Sequence, residues 1–454
     1  METSTGLKVG KNRRYFEDGG KPVVLFGSGL WTIIPEATVD ISDHNSWYSS
    51  YGANANRATL FAFCSIVDEG EGLCPWLRTG PGEALDGRPK FDLTKFDERF
   101  WKRANEYFED SKSHGIYVLL QMFDDPFTKV SDYGGFERWK FHPFNADNNI
   151  NNIPGMPGGK GPGTAAFYDP DNKPLMALQE ALIKRLLDET VKRYGHIIYE
   201  IGNEINWRRE VPKADQWQAR WIKFIRDYSQ EQGVKLLLSA DTRDELLEAG
   251  ADEWDIINHH GTLGHNVKKT PIEELPGILY ERINEHFAKY KRPIINSRPC
   301  SDPDRVNYPD IVSEEKGRVL YWSYFVSGGH IIGFRTTRES WKGGLAAERI
   351  IQNLRKFIDE TKFAEMEPRR DLILSGNALC LANPGKEYVV YLPEGGSVEV
   401  NLKDVPEGTT LACRQYHPRT GEFRTLTDVA GKKAEFTLPT SGVAEDWALH
   451  LVAK

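Results

Sequence analysis

The sequence predicts a (β/α)8 TIM barrel followed by a small antiparallel β-sandwich. Two observations carry this expectation. From about residue 22 to about 361, eight short apolar, β-branched runs alternate with helical patterns, the mark of repeated βα units and a parallel sheet. From Leu372 onward the pattern changes to short alternating strands punctuated by the turns NPGK, PEGG, PEGTT, HPRTGE and AGKK. The change falls around Glu365-Met366-Glu367-Pro368, so the expected domains are a barrel over 1–366 and a sandwich over 367–454. A chain of 454 residues can bury a sizeable core in this arrangement.

The barrel strands are expected at PVVLFGSG (22–29), ANANRATLFAF (53–63), GIYVLLQMFD (115–124) and HIIYEIGNE (196–204) in the first half. VKLLLSAD (234–241), WDIINHHG (254–261), RPIINSRP (292–299) and HIIGFRTT (330–337) follow in the second. Eight such units imply closure. The helix expected at 92–112 has Asp92 as its cap, Phe96, Phe100, Ala104, Tyr107 and Phe108 at helical spacing, and Gly115 beyond its end. Residues 174–194, 213–232 and 272–290 repeat the logic, with Trp217, Trp221, Phe224 and Tyr228 as a stripe that belongs to the core.

Two connections, 64–91 and 125–173, exceed the few residues a scaffold needs, and long ordered loops are usually functional. Both should stand over the carboxyl-end face of the barrel, where active sites of this architecture lie. Within them Trp76, Trp139, His142, Asn148 and Asn149 either contact substrate or order their loops.

The formal charge of −8 and the lack of any Lys/Arg block exclude an electrostatic footprint for nucleic acid or an anionic membrane. Aromatic residues make up 11% of the chain, several in loop-like segments, which suits stacking on sugar rings beside the ordinary core role. Cys64, Cys74, Cys300, Cys380 and Cys413 have no metal-binding spacing and read as mostly free, buried thiols. No cofactor motif is present, and the oligomeric state is left open. The opening METSTGLKVGKNRRYF lacks the apolar run of a signal peptide, and no stretch is long enough to span a bilayer. The chain as given therefore reads as soluble: secreted or periplasmic if an export signal has been removed, otherwise cytoplasmic.

The chemistry centres on IIYEIGNE (197–204), a buried strand that delivers Asn203-Glu204 at its carboxyl end. With YFEDGGKPVVLFGSGLW at the start, NANRATLF in the second strand, and YVVYLPEGGSVEVNL and QYHPRTGEF in the tail, the motif order resembles glycoside hydrolases of clan A. The likeness is greatest to bacterial cellulase-like and apiosidase-like proteins whose barrel carries a C-terminal β-domain. That resemblance implies Glu204 as general acid/base, Asn203 as the ligand of a hydroxyl beside the reacting carbon, and Arg57 as organiser of carboxylates. A carboxyl in a partly desolvated barrel mouth can hold its proton for a leaving oxygen. Glu200, four residues deeper in the strand, reads as a buried, hydrogen-bonded barrel residue.

The seventh strand departs from the clan. Its retaining members carry a nucleophilic Glu there, and this chain has Arg298 in PIINSRPC. Three readings follow. In the first, a hydrolase uses a relocated base or nucleophile: Asp241 foremost, with Asp124, Asp125 and Glu339 behind it. In the second, compatible with the first, Arg298 recognises a uronate carboxylate or a sulfate with help from Arg335 or Arg338, or else only neutralises Glu204 or a neighbouring Asp. In the third, the chain is a non-catalytic sugar-binding descendant. His259 and His260, ending the sixth strand, lie near the place of the lost nucleophile, and one of them should face inward. A metal site from these two alone is not expected; with His142 and Asp124 one is conceivable.

Overall fold

The computed structural model describes residues 6–61, 72–128, 138–205, 211, 213–241, 253–259, 270–297, 313–335, 345–440 and 445–454, without the side chains of 125–126, 240–241, 334–335 and 345. Eight strands form the barrel: β1 (Phe26–Leu30), β2 (Ala55–Thr59), β3 (Tyr117–Asp124), β4 (Ile197–Asn203), β5 (Leu237–Asp241), β6 (Ile256–Asn258), β7 (Ile294–Asn296) and β8 (His330–Arg335). They pair in parallel in the order β1-β8-β7-β6-β5-β4-β3-β2. Seven expected runs contain their strand whole, and the first, 22–29, overlaps β1, which runs on to Leu30.

At the seam between β1 and β2 the regular ladder gives way to other bonds. Asn54 Oδ1 accepts from the Phe26 N–H at 2.9 Å, the Asn54 N–H donates to the Phe26 carbonyl at 3.0 Å, and the Tyr48 hydroxyl donates to the Ala55 carbonyl. A Cβ at Gly27 would stand 1.8 Å from the Ala55 oxygen, so glycine is what lets the two backbones approach.

Strand alternation fills the barrel in layers. The floor is apolar: Ala55, Leu119, Ile198, Leu237, Ile256, Ile295 and Ile332 form one cluster with Leu7 and Phe16 of the N-terminal segment. Two residues further along, the next layer is polar and buried, made of Arg57, Gln121, Glu200, Ser239, Asn258 and Ser297.

Helices surround the sheet: α1 (Ile41–Ser50), α2 (Glu98–Ser113), α3 (Lys173–Thr190), α4 (Ala214–Glu231), α5 (Leu275–Tyr290), α6 (Glu314–Val326) and α7 (Leu345–Ile358). The helix expected at 92–112 begins later. Residues Pro89–Phe96 instead form a hairpin with Trp76–Glu83, and Asp97 caps α2 by accepting from the Arg99 N–H at 3.0 Å. Asp92 bonds Thr94 within the hairpin, and Phe91, Asp92 and Leu93 are buried together there. The cysteine expectation also needs correction at one position: Cys74 is disulfide-bonded, its partner lying outside the described residues, while Cys380 and Cys413 are free and buried.

Beyond Glu367 a seven-stranded antiparallel sheet and a three-stranded one (Ile373–Ser375, Gly396–Asn401, Lys433–Leu438) enclose a second core around Val390, Val398, Leu411, Phe436 and Leu449. The outer face of the larger sheet joins the barrel core. Trp322 of α6 stacks on Tyr391 with ring centroids 5.3 Å apart, and Arg318 meets Asp446 at 2.7 Å where both are buried. Among the described residues, no helix is long and apolar enough to cross a membrane.

Candidate active site

A buried polar chain crosses the barrel above its apolar floor. Arg57 of β2 donates from Nε to Glu200 Oε1 of β4 at 3.1 Å, and its Nη2 bonds the same oxygen. The other carboxylate oxygen, Oε2, accepts from Asn258 Nδ2 of β6 at 2.6 Å, and that amide also donates to Ser297 Oγ at 2.7 Å. Burial pushes the Glu200 carboxyl up, and the Arg57 guanidinium and Asn258 amide pull it back toward the ionised form. With its lone pairs directed at these donors, Glu200 is a structural anion, as its depth in the strand suggests.

Asn203 joins this chain to the next layer. Arg57 Nη2 donates to Asn203 Oδ1 at 3.1 Å, and Asn203 Nδ2 donates to Asp124 Oδ1 of β3 at 2.8 Å. Glu200 and Asn203 are three residues apart, which strict alternation would send to opposite faces. Both nevertheless reach Arg57, through Glu200 Oε1 and Asn203 Oδ1, while β3 and β4 keep one register from Gln121–Glu200 to Asp124–Asn203. Asp124 in turn faces Arg138 of the long loop, with Nη1 3.9 Å from Oδ2.

Glu204 follows at once with φ of +54°, in the left-handed region that non-glycine residues rarely adopt. Such a conformation costs about 1–3 kcal/mol and recurs at functional sites. Glu204 is also part-exposed, whereas Arg57, Glu200, Asp124, Asn203 and Asn258 are buried. The turn thus ends the strand and leaves Glu204 part-exposed just beyond it.

Several of the expected contact residues are buried among neighbours of their own loops and helices. Trp76 is buried edge-on against Phe61 and Phe144, with centroids 5.3 Å away in both cases. His142 stacks on Trp139 at 4.9 Å, accepts from the Phe144 N–H through Nδ1, and is pushed down to about 3 by burial. The ring sits buried as a wedge in an aromatic cluster with Trp139, Phe127 and Phe167. Asn148 and Asn149 spend their amides on carbonyls of their own loop, those of Lys140, His142, Pro143 and Asn145. His259 points away from the cavity and bonds His286 of α5 through Nε2 at 2.6 Å, because the inward position of that strand is Asn258.

Arg298, His260, Arg338 and Glu339 lie outside the described residues, as do the side chains of Asp125, Asp241 and Arg335. The Asp241 backbone ends β5 in register with Asn258. Sequence reasoning passed over Asn258, Ser297, Gln121 and Trp31, whose indole donates to Gln121 Oε1 at 3.0 Å. The signal for the first three was strand alternation: each lies two residues beyond an apolar floor residue. Among the described residues no group of three His, Cys, Asp or Glu side chains could hold a metal ion.

Two family models match the chain in part. Residues 73–258 match "Domain of unknown function (DUF6298)", and residues 369–452 match "Putative collagen-binding domain of a collagenase". No curated protein matches in sequence. Among solved structures, a "putative glycoside hydrolase from Bacteroides vulgatus ATCC 8482" has a TM-score of 0.71 at 13% identity, covering 100% of this chain and 83% of that one. A glycoside hydrolase family 5 structure from the same organism gives 0.66 at 14% identity, over 99% of this chain and 93% of that one. The family 5 mannosidase of Rhizomucor miehei gives 0.51 at 13%, over 79% of this chain and 99% of that one. At such identities the likeness shows the fold alone: this chain shares with those structures a parallel eight-stranded barrel, and an antiparallel β-sandwich follows it.

Proposed function

We propose that the protein is a glycoside hydrolase acting on a poly- or oligosaccharide, with Glu204 as its general acid. The observation that carries this reading is the pair at the end of β4, where part-exposed Glu204 turns through a left-handed backbone beside an Asn203 held from both sides. Asn203 would bond a hydroxyl next to the scissile linkage, and Glu204 would donate its proton to the leaving oxygen. Asp241, in register with Asn258, is the residue we assign as base or nucleophile opposite it. Arg298 we assign to a uronate carboxylate or a sulfate on the sugar. The Cys74 disulfide supports an oxidising compartment, outside the cytoplasm.

One observation favours a second reading, a sugar-binding protein without turnover. The two other described carboxylates near the site, Glu200 and Asp124, are already engaged by Arg57, Asn258, Asn203 and Arg138. Glu204→Gln separates the two: the hydrolase reading expects release of reducing ends to fall by roughly 10²–10⁴-fold with sugar binding retained. Turnover at the wild-type rate would remove Glu204 from its role. For Arg298→Ala we expect affinity for uronate-bearing or sulfated glycans to drop well below that for neutral ones, and equal losses would make Arg298 structural.

A further inference from the structure

We propose that Asp124 is a positioning residue that fixes which way round the Asn203 amide sits, and that Arg138 ties this setting to the long loop after β3. The inference rests on the reading of Asn203 and Glu204 given above. An Asn side chain presents an acceptor at one atom and two donors at the other, and its orientation is decided by its neighbours. Here both neighbours demand the same answer. Arg57, which has only donors, faces Oδ1 at 3.1 Å, and Asp124, an acceptor when ionised, faces Nδ2 at 2.8 Å. Reversing the amide would set donor against donor and oxygen against carboxylate.

Neither neighbour is able to turn away. Arg57 is pinned by its bonds to Glu200, and Asp124 is buried at the end of β3, in register with Asn203 itself. The fixed amide keeps one N–H of Nδ2 beyond the bond to Asp124, so the ligand atom it binds is an acceptor, such as a sugar hydroxyl oxygen. Arg138 lies on the Arg138–Phe141 turn, whose Trp139 stacks on His142, so the position of that turn is conveyed to Asp124 by the ion pair.

The experiment is a double-mutant cycle on Asp124→Asn and Asn203→Ala in the full chain. It reads reducing-end release and gel retardation on glucan, xylan, mannan, polygalacturonate and a sulfated galactan. If Asp124 acts through Asn203, Asp124→Asn lowers kcat/KM roughly 10–100-fold in the wild-type background, mostly in kcat, and has little further effect once Asn203 is alanine. Arg138→Gln should give a smaller loss, roughly 2–5-fold, that likewise vanishes in the Asn203→Ala background, and it keeps the test available if Asp124→Asn does not fold. Equal losses in both backgrounds, or none in either, would overturn the proposal. A Glu204→Gln variant of normal turnover would remove the parent reading instead, and the cycle on retardation would still judge Asp124. A wild-type protein that neither cuts nor binds any of the five polysaccharides would count against both.

Discussion

Arg57 and Glu200 form a fully buried ion pair at the centre of the barrel. Such a pair adds little over an apolar core, but removing one partner strands the other and costs about 3–5 kcal/mol. We therefore expect Arg57→Ala to lower the unfolding free energy by about that amount in urea titrations. The double change Arg57→Met with Glu200→Leu should be much milder. A stable Arg57→Ala protein would show that Glu200 finds other donors. Each member of the pair was legible alone, Arg57 as an organiser of carboxylates and Glu200 as a buried barrel residue. Their partnership was not, because 143 residues separate them and only barrel closure brings β2 and β4 to one polar layer. The histidine pair shows the same limit. His259 turns to His286 and His260 lies outside the described residues; that Asn258 takes the inward position before them required knowing where the strand ends.

The strands were the most legible elements, since a doubly buried parallel strand writes itself as a continuous apolar run. The hairpin at Trp76–Phe96 was not, because FDLTKF fits both a strand alternation and the first turn of a helix, and the pairing partner decides. Equally hidden was the meeting of Asp124 and Asn203, paired at the ends of β3 and β4 and hydrogen-bonded to each other. At the β1–β2 seam the element-scale expectation is steric. A methyl at Gly27 has no room beside the Ala55 carbonyl and the Tyr48 hydroxyl, so Gly27→Ala should destabilise by about 1–3 kcal/mol or more, read as a drop in Tm. An unchanged Tm would mean that the seam opens without cost.

For the molecule as a whole, stability should depend on acid because burial lowers the pKa of His330 and His196. His330 Nδ1 accepts from the Leu25 N–H at 3.0 Å while its other nitrogen bonds the Arg14 carbonyl at 2.9 Å, and burial pushes the ring down to about 4. Above pH 6.5 neither the folded nor the unfolded chain protonates this ring, and its contribution is complete. As pH falls from 6.5 toward 4 only the unfolded chain takes up the proton, so stability declines, by about 3 kcal/mol for this group across the window. His196, also held near 4, acts in the same direction. Urea midpoints at pH 7 and pH 5 should differ accordingly; identical midpoints would refute the linkage. The C-terminal sandwich belongs to this scale too. Its larger sheet completes the barrel core through Tyr391, Tyr416 and the buried Arg318–Asp446 pair, so removing residues 367–454 should yield an aggregating barrel rather than a free domain.

The central claim is that Glu204 supplies the proton that breaks a glycosidic bond. An NMR time course of anomeric signals, run in parallel on the wild-type protein and Glu204→Gln with the polysaccharide panel above, tests it directly. The wild type should release one anomer first, which names inversion or retention, and the variant should release none on the same timescale. Anomeric product appearing equally fast from both proteins would contradict it.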